Sequence, residues 1–113
     1  MTSFLRAYGQ TELLERLLYA LETAEDAFCG GSAIEREWAL SEGLAVVGEL
    51  YGSLDATTSP EASAHLGAAF DDCLSALGEA YAGSPDSLGT AAAFVREMCR
   101  VMVPSVARRS LAA

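Results

Sequence analysis

This sequence contains no lysine and only one histidine, His65. Its seven basic residues are all arginines, set against sixteen acids, for a formal charge of −9. Such a chain repels phosphate backbones and anionic headgroups, so neither nucleic acid nor a membrane surface is an expected partner. No apolar run approaches the ~20 residues that a spanning helix needs. The opening "MTSFLRAYGQ" has no basic region followed by an apolar stretch, so no signal peptide is expected. Cysteines number three, Cys29, Cys73 and Cys99, and lack metal-ligand spacing. They read as free thiols acting as small hydrophobes in a reducing cytosol, and a cytoplasmic protein is the expectation.

Isoleucine and threonine are scarce, whereas Ala, Leu and Glu are abundant. These are the residues that lose least on entering a helix. With 113 residues, the chain has the size of one domain with its own core. Three breaks divide it: "CGGS" at 29–32, "DATTSP" at 55–60 and "AGSPDS" at 82–87. Each gathers Gly, Pro, Ser or Asp, which supply turns and helix starts. The expected fold is all-α, an antiparallel four-helix bundle formed by residues 1–113 as a single domain.

The first helix is predicted from about Thr11, as N-cap, to Phe28, with Leu14, Leu17, Leu18 and Leu21 on its broad apolar face. Residues 1–9 read as a short flexible arm and 104–113 as a loose tail. The second helix is predicted over 33–54 and carries two apolar seams. Leu40, Leu44, Val47, Tyr51 and Leu54 form one, and Ala39, Gly43, Val46 and Leu50 the other, leaving Glu35, Glu42 and Glu49 as a polar stripe. So wide an apolar surface must bury more than one side. The third helix is predicted to start at Pro60 behind Ser59, with an inner stripe of Leu66, Phe70, Cys73, Leu77 and Tyr81. The fourth is predicted over 87–102, ended by Pro104, with Phe94 and Val101 off its inner stripe.

Chemical readings find little to build on. Glu61, His65, Asp72 and Glu79 share one stripe of the third helix, while Asp71 points elsewhere, so the two aspartates do not converge. A zinc site would need ligands from a neighbouring helix, and no second histidine exists to offer one. Cys73 is turned toward the core stripe, away from His65, so a thiol–imidazole pair is not expected. "CGGS" lacks the strand and the lysine of a phosphate-binding loop. No catalytic, metal-binding or cofactor-binding residue is assigned. One alternative is a histidine phosphotransfer domain using His65, because "AHLGAA" superficially resembles that motif. The motif's lysine, three residues after the histidine, is replaced here by Ala68, which leaves a phosphoryl group without a cation.

Helices two and three together resemble the flagellin-specific export chaperones, the FliS family. "ALSEGLAVVGELYGSLD" (39–55) is similar to that family's second helix, with paired branched residues and a closing Leu-Asp. "EASAHLGAAFD" (61–71) is similar to its third, with Leu66, Phe70 and Asp71 on the family's leucine, aromatic and aspartate, and His65 where an asparagine is usual. Ala7-Tyr8 and "ELLERLLYA" (12–20) resemble its N-terminal start. The Asp-Gly after the Leu-Tyr of helix one is missing, and Trp38 lies on helix two instead of a tryptophan late in helix four, so the chain would be a divergent member.

The resemblance implies a non-enzymatic cytosolic chaperone. Its client would be the disordered C-terminal segment of flagellin, which becomes helical in hydrophobic grooves of the bundle. Binding would prevent polymerisation before type III export, with the flagellar export apparatus as a further partner. A binder of this kind needs apolar surface beyond its own core. The residues expected to supply it are Tyr8, Ala39, Val46, Leu50, Phe94 and Val101. Phe4, Leu5 and Tyr8 of the arm are expected to cover the groove in the free protein. A helical adaptor with an unrelated client is the remaining alternative.

Overall fold

In a computed structural model, the backbone is described for residues 2–54 and 60–112, and side chains for 11–53 and 64–100. Four helices follow one another: α1 (Thr2–Gly30), α2 (Ala33–Leu54), α3 (Pro60–Tyr81) and α4 (Leu88–Ala112), with no strand among the described residues. The all-α four-helix bundle is therefore the observed fold, and α2 and α3 keep the limits that the sequence predicts. None of these helices is long and apolar enough to cross a membrane within the described residues.

Two helix limits differ from expectation. α1 begins at Thr2, so residues 2–9 form its first turns instead of a separate arm. Thr11 does not act as an N-cap; its side chain is buried within the helix. Gly9 is the one poor helix former in this stretch and costs only about 1 kcal/mol relative to Ala, too little to stop a helix. α4 likewise runs past Pro104, so residues 104–112 continue it instead of forming a loose tail. Proline removes one backbone donor, and the Ala, Arg and Leu that follow favour helix.

Sharp local signals make the turns. Ser32 Oγ accepts the backbone N–H of Glu35 at 3.1 Å and caps α2. Glu35 itself sits in the first turn, where the helix dipole favours an acid. A Cβ on Gly31 would lie 2.7 Å from the Ala27 Cα, so the chain can pass there only without a side chain. At the end of α3, Gly83 takes φ 101°, the left-handed conformation that glycine adopts freely. Its N–H reaches the Ala80 carbonyl at 3.0 Å, and that of Ser84 reaches Glu79 at 2.9 Å, which together form a Schellman cap.

Gly31→Ala is therefore expected to lower the urea midpoint, at a cost of about 1–2 kcal/mol. Gly78 lies in the last turn of α3, with open space around its missing Cβ. Gly78→Ala should raise the midpoint, gaining about 0.5–1 kcal/mol.

Leu14, Leu17 and Leu21 of α1 meet Leu40, Val46, Val47 and Leu50 of α2, Phe70 and Leu77 of α3, and Leu88 and Val95 of α4 in one core. α1 packs extensively on both α2 and α4, α3 packs on α2 to a lesser extent, and the α3–α4 seam is the thinnest. Gly43 lets α2 approach α3 closely, since a Cβ there would meet Leu77 Cδ2 at 3.0 Å. Arg16 joins α1 to α2 through Glu42 at 2.7 Å and Glu49 at 3.5 Å, and Arg96 joins α4 to Glu22 of α1 at 3.0 Å. These exposed pairs fix which helix faces meet more than they stabilise the fold.

Candidate docking surfaces

α2 lies between α1 and α3, and this position decides where its apolar seams go. Ala39, Val46 and Leu50 are 1% exposed or less, so the seam expected to serve as a groove belongs to the core. Leu40 and Val47 of the other seam are buried as well. Two neighbouring helices, not a client, account for the wide apolar surface of α2. Tyr8 and Val101, with Phe4 and Leu5, lie outside the described side chains. Phe94 is half-exposed.

The free surface of α2 is a third stripe, opposite the buried seams. Ile34, Trp38, Ser41, Ala45, Gly48 and Gly52 recur at alternating spacings of four and three, so they share one face. All six are exposed and none carries a charge. Ile34 is 80% exposed and Trp38 50%. The outward face of a bundle helix is ordinarily its charged one, so this face is inverted. Tyr19 of α1 extends it, packing edge-on against Trp38 with ring centroids 6.3 Å apart.

On its other side the stripe continues onto α3. Ser41 Oγ and the Tyr81 hydroxyl lie 2.8 Å apart, and the Tyr51 hydroxyl donates to Asp71. The antiparallel register set by these two contacts puts Ala45 level with Leu77 and Gly48 level with Leu74, and a Cβ on Gly48 or Gly78 would meet open space. Leu74 and Tyr81 are both large, apolar and partly exposed. A shallow strip thus runs along α2 and α3, uncharged along its α2 positions, with Asp71 at one end and Glu12, Glu15, Arg16 and Glu42 around Tyr19 and Trp38 at the other. The sequence carried the signal for it, because charge is missing at each of the six positions from Ile34 to Gly52.

A second concavity opens at the thin α3–α4 seam, with a cavity volume of about 320 Å³. Ala69, Cys73, Ala76 and Ala91 form its floor, and Phe94 stands over it. His65 is exposed on the same side of α3, which also carries Asp72 and Glu79. A phosphoryl group on His65 would share its helix face with acids, the nearest described one, Asp72, about two turns along α3. Among the described residues, no group of three metal-ligating side chains converges.

Burial pushes the Cys73 thiol up to about 11, with the nearby Asp72 carboxylate adding to the effect. That is the wrong direction for a nucleophile. Burial, followed by the bond to Asp71, pushes the Tyr51 hydroxyl up to about 12. Burial raises the Cys99 thiol too, and Glu15 adds to the shift. For Cys73 and Tyr51 the folded state favours the protonated form. Their contribution is intact below the ordinary values of about 9 and 10 and is lost as pH rises toward 11 and 12. The melting temperature should hold up to about pH 9 and fall above it. In the native chain at pH 8, exposed Cys29 should react with a thiol reagent at least ~100-fold faster than Cys73, with the two rates converging in denaturant.

Compared with protein-family models, curated proteins and solved structures, the chain matches none.

Proposed function

We infer that this protein is a binding module without catalytic chemistry, a cytosolic chaperone that holds a helix-forming client segment against the outer face of α2 and the adjoining edge of α3. The uncharged stripe from Ile34 to Gly52 carries this reading. A four-helix bundle with an acidic surface has no structural need to leave its outermost helix face free of charge and bearing a half-exposed tryptophan. An amphipathic helix laid along the strip would cover Trp38 and Ile34, and the small side chains at Ala45, Gly48 and Gly78 would let its backbone come close. Sequence resemblance to the flagellin export chaperones supplies the client: the C-terminal segment of flagellin, kept from polymerising before export.

Phe94 lies on a different seam and has no part in this site. Titrating the chain with labelled peptides from the flagellin C-terminus tests the reading. The expected outcome is saturable binding in the micromolar range, with helical circular dichroism gained on mixing. No saturation by about 100 μM, or binding without added helix, would remove flagellin as the client.

A further inference from the structure

We propose that the cleft between α3 and α4 is a second docking site, separate from the α2 face, and that it takes a helical segment of a partner protein carrying two basic residues two turns apart. The cleft exists because α3 and α4 pack on each other least of the neighbouring helix pairs. Its alanine floor is low enough for a further helix backbone to lie close against both helices. At the turn end, Ser87 Oγ donates to Glu79 at 2.7 Å and holds the two helices together. Phe94 lines the cleft as a half-exposed apolar wall.

Charge selects the occupant. Among the described residues, Asp72 and Glu79 are the only charged ones lining the cleft, and both are acidic. The described arginines that form ion pairs do so elsewhere: Arg16 and Arg96 across other seams, and Arg100 with Glu97 at 3.0 Å. Seven residues separate Asp72 from Glu79, so on one helix they stand ~10.5 Å apart along the axis. A partner helix with arginines at the same spacing and small apolar residues between them would match both carboxylates while its apolar face covers the floor. Phe94 lies within the same cleft, where a guanidinium can also stack on its ring. An acidic or neutral helix would leave the two carboxylates confined without a counter-charge, which disfavours it.

The test is a fluorescence-anisotropy titration of the full chain with an Ala/Leu-based helical peptide of about 16 residues carrying two arginines seven positions apart. A peptide of the same composition with adjacent arginines is the control. The spaced peptide should bind at least about tenfold more tightly than the control, and binding should weaken at least about tenfold between 50 and 500 mM salt. The double substitution Asp72→Asn, Glu79→Gln, in which the Gln carbonyl can still accept the Ser87 hydroxyl, should cost a similar factor. Trp38→Ala should leave binding unchanged, which separates this site from the α2 face. Equal affinity for the two peptides, an unaffected D72N/E79Q variant, sensitivity to Trp38→Ala, or no saturation by about 1 mM would each overturn the proposal.

Discussion

Ala45→Glu should abolish client binding while leaving the free protein as stable as before. Ala45 is exposed at the middle of the uncharged stripe, and glutamate is nearly as good a helix former as alanine. Folding stability should therefore change by no more than about 0.5 kcal/mol. In the docked state the new carboxylate would lie between α2 and the client, stripped of water and without a partner. A loss of about 100-fold or more in affinity is expected, equivalent to about 2.7 kcal/mol or more. Ala68→Glu, on an exposed part of α3 outside the strip, is the matched control and should change nothing. Client affinity that survives Ala45→Glu in a folded protein would place the client elsewhere on the bundle.

Much of the bundle was legible because its signals are local. "GGS" before a helical run, Pro60 at a helix start and Gly-Ser-Pro after Ala82 each act within a few residues, and the limits of α2 and α3 followed from them. At the two ends the helix limits lie beyond the sequence signals. Gly9 is a weak breaker, and Pro104, though it costs about 3 kcal/mol inside a helix, does not end α4.

The site was harder to read, because core and groove are both apolar and differ only in what lies opposite. Ala39, Val46 and Leu50 could be assigned to the core only once α2 was seen flanked by α1 and α3. The outward face was legible in principle. Its mark was a lack of charge at six positions spread between Ile34 and Gly52, which stands out less than three evenly spaced glutamates.

Leu50 separates those two kinds of apolar surface experimentally. Its side chain is fully buried in the core with Val46, Phe70 and Leu77. Leu50→Ala removes that packing and leaves a cavity, a change that costs about 2–5 kcal/mol in comparable cores. For a domain of this size, whose whole stability is on the order of 5–15 kcal/mol, the melting temperature should drop by about 10–20 °C. Phe94→Ala and Ile34→Ala remove exposed side chains and should each shift stability by about 1 kcal/mol or less. Differential scanning calorimetry on the three variants gives the comparison directly. The critical observation is whether the effects divide by burial. If Leu50→Ala melted like the parent protein and lost only client affinity, Leu50 would belong to a groove and the packing of α2 between α1 and α3 would be wrong. A large loss of stability in Leu50→Ala alone, with client affinity lost in Ile34→Ala, would establish that α2 turns one apolar face inward to hold the bundle together and another outward to hold its client.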